Sequence, residues 1–146
     1  MDHQLIARVL LALFCGMQGI ATAIIDLSRT HATHPGWLGH ARFHVVWQTC
    51  TVLALSIIEI ALLIARGPQP ALRFYLAATL AFAPMLAFFL ALCARRLYAG
   101  TLTDPKGMPP MIIRINGVQR EIDLNIAAEV IGVMSLVAIV QIFRAA

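Results

Sequence analysis

Residues 73–94 read Arg73-Phe-Tyr-Leu-Ala-Ala-Thr-Leu-Ala-Phe-Ala-Pro-Met-Leu-Ala-Phe-Phe-Leu-Ala-Leu-Cys-Ala94, and no charged side chain follows Arg73 in this stretch. A helix rising about 1.5 Å per residue crosses the hydrocarbon layer of a bilayer with roughly 20 such residues. Three more stretches of the same character lie at about 5–25, 43–65 and 124–143, each long enough by the same measure. The whole chain is 60% hydrophobic and only 12% charged, with mean hydropathy +0.83; a soluble domain carries about 25% charged residues. The expected fold is an all-α membrane protein. Its four transmembrane helices form one bundle, a single domain over residues 1–146, in a multi-pass position expected to be a bacterial inner membrane. The first span is not read as a cleaved signal peptide, because it holds Gln18 and Thr22, runs into Asp26 and lacks a small-residue cleavage site.

The spans leave little chain for loops. Arg66-Gly67-Pro68-Gln69-Pro70 is a short breaker between spans two and three. Pro84 lies inside span three, where it removes one backbone hydrogen bond and is expected to kink the helix. In the last loop, Met111-Ile-Ile-Arg-Ile-Asn-Gly-Val-Gln-Arg-Glu-Ile122 places Asn116-Gly117 between β-branched residues. That pair favours a two-residue type I′ turn, so the segment predicts a short β-hairpin. It is either a surface hairpin without a role or a lid over the histidine-rich end.

With an even number of spans both termini share one side. The connections 26–42 and 95–122 hold Arg29, Arg42, Arg95, Arg96, Lys106, Arg114 and Arg120, against Arg8, Arg66, Arg73 and Arg144 on the other side. The positive-inside rule then puts the first set in the cytoplasm. Net charge +4 and pI about 9.5 follow from these loops and imply no nucleic-acid partner. Cys15, Cys50 and Cys93 all fall in spans, without a CxxC, and read as buried, inert thiols.

Chemistry concentrates between spans one and two. Four of the five histidines, His31, His34, His40 and His44, follow Asp26 closely. Histidine exchanges protons near neutral pH and ligates metals. Polar groups inside a membrane are costly and usually face the bundle interior. Gln18, Thr22 and Asp26 stand at i, i+4 and i+8 and form one stripe; His40 and His44 are also at i, i+4, with Gln48, Thr51 and Glu59 continuing toward the far side. Asp123 and Asn125 open span four, and Glu129 follows one turn later. Asp26, His31, His34, His40, His44, Gln48, Asn125 and Glu129 are thus expected to converge at one end of the bundle, with span three as scaffold. Of these, His44, His40, Asp26 and Glu129 are the expected catalytic groups. Trp37, Trp47, Gln48, Gln18, Asn125 and Glu59 are the expected substrate-binding ones. Each has a plainer alternative. Asp26 pairs with Arg29 or Arg42 at a helix end, His31 and His34 are solvated loop residues, and His40 faces headgroups. Trp37 and Trp47 anchor at the interface rather than wall a cationic intermediate.

The stretch His31-Ala-Thr-His-Pro-Gly-Trp-Leu-Gly-His-Ala-Arg-Phe-His44 resembles the signature of a small four-span family of bacteria and fungi. Its pattern is Asp, a histidine, Asn-Pro-x-Trp, then His-Ala-(Arg/Lys)-Phe-His. Here His34 stands where that pattern has asparagine. The resemblance covers about 20 residues plus the four-span layout and implies no particular reaction. A looser likeness, at the level of fold, is to the emopamil-binding sterol isomerases. Those are membrane helix bundles with a histidine and acids in a lipophilic cavity and aromatic residues that stabilise a carbocation. It implies such parts for His44, Glu59 or Glu129, and Trp47, although the spacing here does not reproduce that family's motif.

Three functions compete. The first is a cofactor-free membrane enzyme, an isomerase or cyclase working by histidine and acid on a sterol, terpenoid or lipid. The second is a metal-dependent enzyme in which His31, His34, His40 and His44 gather a single zinc or iron ion. The third is a non-enzymatic lipid- or sterol-binding or transport protein. Membrane lipid and a lipophilic small molecule are the expected partners, and a homodimer is left open. On the first reading His44→Ala abolishes activity, and Glu129→Gln impairs it more than Glu59→Gln.

Overall fold

The computed structural model describes residues 2–103 and 109–145. Lys106, counted above among the loop cations, lies outside them. Helix α1 spans His3–Asp26, α2 Gly39–Ile64, α3 Pro70–Ala94 and α4 Leu124–Arg144, with a 3-10 turn at Arg95–Tyr98 continuing α3. All four are long and apolar enough to cross a membrane. This is a multi-pass helical bundle, as the apolar stretches predict.

The ends follow from local chemistry. The Asp2 carboxylate caps α1 by accepting the Gln4 and Leu5 amides at 3.0 and 3.1 Å, and Asp123 caps α4 through the amides of Asn125 and Ile126. Pro70 starts α3, where a missing N–H costs nothing. Before it, Gly67 takes φ 126° and Gln69 φ 62°, and Arg73 closes the turn by donating to the carbonyls of Gly67 and Pro68. The hairpin forms where its turn pair predicts. Strands β1 (Met111–Ile115) and β2 (Val118–Ile122) pair antiparallel, Ile115 opposite Val118, with Asn116 and Gly117 both at positive φ. Its side chains are exposed except the half-buried Ile113 and Ile122, so the hairpin buries little of itself.

Helix α1 packs between α2 and α4, and α3 packs against the same two. Helices α2 and α4 therefore stand diagonally. Each helix turns a narrow stripe inward: Ala7, Leu11, Cys15 and Gly19 on α1; Thr49, Val52, Ser56, Glu59 and Leu63 on α2; Phe74, Ala77, Ala78, Ala81 and Met85 on α3. Small residues at these crossings let backbones approach, which is how helices associate where lipid is as apolar as leucine. The outward faces carry Leu13, Met17, Ile20, Ile57 and Ile131, all exposed to the surroundings of the chain. Cys50 and Cys93 also face outward; only Cys15 is buried, so the expectation of three buried thiols holds for one. The reason is phase: both outward cysteines fall off the inward stripe of their helix.

The apolar core is polarised. It joins Ala7 to Cys15 of α1, Leu63, Phe74 to Met85 of α3, and Leu136 to Phe143 of α4, all in the half away from the histidines. Phe74 and Phe143 stack there at 3.8 Å with planes 6° apart. Toward the histidine end the helices bury Gly19 and Thr49, the loop buries Ala32 and His34, and no residue of α3 beyond Met85 or of α4 before Leu136 is buried. The bundle is closed at one end and loosely filled at the other. Where α1 and α2 cross in between, a Cβ built on Gly19 would lie 2.6 Å from Ser56 Oγ and 3.0 Å from its Cβ. The hydroxyl can rotate away but the Cβ cannot. Gly19→Ala is expected to cost about 1–3 kcal/mol by overpacking, read as a lower melting temperature in detergent; an unchanged value would show that the helices part freely.

Candidate functional site

Residues 27–38 fold back over the crossing of α1 and α2. Ser28 organises the first turn, its hydroxyl bonding the Ile25 carbonyl at 2.7 Å and accepting the Thr30 amide at 3.1 Å. The Ala32 amide donates to the Asp26 carbonyl at 2.9 Å, and Ala32 and His34 are buried. Arg42, in the first turn of α2, reaches back to donate to the His34 carbonyl at 2.9 Å and clamps the loop. The expected pairing of Asp26 with Arg29 or Arg42 is absent among the described residues, because Arg42 is spent on this clamp.

Two clusters emerge where one was expected. The inner one centres on Asp26, the last residue of α1. Its Oδ2 lies 3.3 Å from the Thr49 hydroxyl, whose single proton is shared between that carboxylate and the nearer Val45 carbonyl at 2.9 Å. His31 lies five residues on, in the loop, and no hydrogen bond or ion pair among the described residues joins it to the carboxylate. The His31 Nδ1 bonds Thr30 Oγ1 at 2.8 Å, leaving Nε2 without a hydrogen bond among the described residues. Trp37 stands edge-on to the His31 ring at 5.6 Å and tilted to His34 at 6.1 Å. His34 Nδ1 accepts the Gly36 amide at 3.1 Å, so the proton of the neutral ring sits on Nε2. Its buried ring and clamped carbonyl make His34 the keystone of the loop.

The outer cluster is His40, His44, Phe43 and Trp47. All four are exposed, on the side of α2 turned away from the other helices. His40 Nε2 and His44 Nε2 are 3.1 Å apart, and the His44 ring rests between Phe43 at 6.0 Å and Trp47 at 5.7 Å. Gln48 and Thr51 are exposed as well, the latter bonding its own helix at Trp47. The inward face of α2 is instead Arg42, Thr49 and Ser56 at seven-residue spacing, with Glu59 beside them. The sequence carries that polar heptad beside the chemically richer histidine stripe. Aromatic and histidine side chains pointing outward suit the membrane interface, where no rule forces polar groups inward.

The remaining expected residues scatter. Gln18 donates to the Ala81 carbonyl at 3.2 Å, in the turn of α3 that Pro84 deprives of a donor. Asn125 donates to the Leu102 carbonyl at 3.0 Å and ties the α3–hairpin connection to α4. Glu129 is half-buried on α4, diagonal to α2, and no hydrogen bond or ion pair among the described residues joins it to Asp26 or His44. Glu59 is fully buried near the far end. Among the described residues neither of its carboxyl oxygens meets an N–H or O–H donor, nor has Ser56 Oγ one turn earlier a partner, and the Cys15 thiol, a weak donor, is the polar group beside the acid. An unpartnered buried carboxyl costs stability. Glu59→Met is therefore expected to raise stability by about 1–3 kcal/mol, measured by unfolding in mixed detergent; a loss would mean that the acid is satisfied by a bound group.

No set of three or more His, Cys, Asp or Glu side chains among the described residues comes together as a metal site. The four motif histidines divide into His31 with His34 inside and His40 with His44 outside. Two shallow grooves indent the surface. One of about 480 Å³ lies along the start of α4 from Glu121 to Ile131, and one of about 350 Å³ lies between α3 and α4 from Tyr75 to Gln141; neither is lined by the histidine loop. No protein-family model, curated protein or solved structure matches this chain.

Proposed function

We propose that this is an integral membrane enzyme, of a bacterial inner membrane, that moves protons on a lipophilic substrate by histidine and acid chemistry. The class is an isomerase or cyclase of a sterol, terpenoid or lipid. The observation that carries the reading is the contact of Thr49 with the Asp26 carboxylate at the loosely filled end of an otherwise apolar bundle, with the His31 imidazole, its Nε2 unengaged among the described residues, in the loop that follows. A carboxylate beside an imidazole stabilises the imidazolium, and the imidazole then serves as general acid and base. His31 Nε2 is the proposed proton-transfer atom, Asp26 its electrostatic partner, and Thr49 the group that holds the carboxylate. The edge-on Trp37 fixes the His31 ring and offers a π face to positive charge developing on an apolar substrate. In a double-bond shift one carbon of the substrate gains a proton and another loses one, so the formula is unchanged and no soluble cofactor is consumed. The lipophilic substrate would enter from the bilayer beside α3 and α4, where those helices bury nothing. The separation of the four histidines into two pairs favours this over a single four-histidine metal site.

The test is exchange in heavy water. The purified chain, in liposomes with a sterol and isoprenoid extract, is incubated in D2O and the lipids are analysed by mass spectrometry. The expected product is an isomer of one component carrying deuterium at a new carbon, absent with Asp26→Asn. Exchange equal in wild type and Asp26→Asn would overturn the reading in favour of a binding protein.

A further inference from the structure

The outer histidine pair lies apart from the proposed acid–base pair, and its geometry has its own consequence. His40 and His44 stand one helical turn apart, and their Nε2 atoms are in hydrogen-bond contact at 3.1 Å, with ring planes at 88° and centroids 4.5 Å apart. Two imidazole nitrogens on one tetrahedral zinc, with Zn–N of about 2.0–2.1 Å, are separated by about 3.3–3.4 Å. The pair is already within a few tenths of an ångström of that edge, a gap that small side-chain rotations close. We propose that His40 and His44 form a two-histidine clamp for a divalent transition-metal ion, zinc above all, on the outward face of α2.

Three features support the clamp. The His44 ring is fixed on its flanks by Phe43 at 79° and Trp47 at 35°, so little freedom is lost on binding. Neither Nδ1 atom has a hydrogen-bond partner among the described residues. The proton that one Nε2 now shares with the other therefore has a place to go: it moves to Nδ1 of the same ring, and both Nε2 lone pairs face the metal without net proton release. Imidazole is a ligand that zinc, copper and nickel favour over the hard cations. Both side chains are exposed, so two further positions on the ion are open to water or to phosphate oxygens of lipid headgroups. His31 and His34 are no part of this site, since Thr30 and Gly36 already hold their Nδ1 atoms on the inner side of the loop.

The inference is independent of the proton-transfer reading, and its test needs no substrate. The full chain, purified in detergent without a histidine tag, is titrated with zinc chloride against a fluorescent zinc chelator. One ion per chain is expected. His40→Ala and His44→Ala each break the chelate and should weaken binding by about 100-fold, whereas His3→Ala and His31→Ala leave it unchanged. Far-UV circular dichroism checks that each variant keeps its helices, which is expected because both side chains lie outside the packing. Binding that survives in the His40→Ala/His44→Ala double variant would overturn the site. So would equal losses in all four single variants. Half an ion per chain would overturn the solvent-completed form, because a second copy would then supply the missing ligands.

Discussion

His31→Ala is expected to slow deuterium entry into the lipid substrate by about 10²–10⁴-fold, the range a positioned general acid or base contributes. His31 lies in the loop that follows Asp26, its Nδ1 bonds Thr30 and Trp37 stands beside its ring, while Nε2 is unengaged among the described residues. Removing the imidazole takes away the proton carrier and leaves Asp26 with Thr49. Asp26→Asn removes the charge that supports the imidazolium but keeps the Thr49 contact, so its loss should fall mainly on turnover rather than on substrate affinity. His44→Ala makes the decisive contrast. The motif alone points to His44 as the essential base, but its ring lies on the outward face of α2. Turnover in His44→Ala within a few-fold of wild type is therefore expected. If His44→Ala abolishes exchange and His31→Ala does not, the proton-transfer site is the outer pair and the present assignment is wrong.

Phe74→Ala is expected to destabilise the bundle by about 3 kcal/mol, the low end for truncating a buried phenylalanine. Phe74 is fully buried, stacks on Phe143 at 3.8 Å and meets Tyr75 edge-on at 5.6 Å. It joins α3 to α4 at the closed end, where nearly all the well-packed apolar residues lie. The low end applies because lipid accepts an exposed side chain almost as readily as protein does, so the loss is mostly packing. Unfolding in mixed detergent measures it. Leu90→Ala, equally apolar but exposed on the same helix, should change stability little. Equal effects from both would mean that the core at the closed end does not hold the helices together.

Much of the fold was legible before any coordinates. Four apolar stretches of bilayer length, each with a single charged residue, read as membrane helices, since every backbone polar group there must be paired within its own segment. Asn116-Gly117 between β-branched neighbours specified its turn by local sterics alone, and the hairpin register centred on it follows. The gathering of polar chemistry into the connection after Asp26 was equally plain. These are local properties: length, hydropathy and the φ preferences of a few residues.

What the sequence left open was the rotation of α2. Along that helix Arg42-Thr49-Ser56 and His40-His44-Gln48 mark two polar faces, and helical periodicity makes either one self-consistent. Which face turns inward depends on what α1 presents. Gly19 and Cys15 give α1 a slot that small residues such as Thr49 and Ser56 fit and that histidine and tryptophan rings do not. Close packing, not polarity, therefore sends His40 and His44 outward and brings Thr49 to Asp26. The same holds for Glu129, which sits on α4, diagonal to α2, with no hydrogen bond or ion pair to the histidines among the described residues. Spacing along one helix cannot report a neighbour's shape. Tertiary packing alone decided which of two chemically rich faces became the interior.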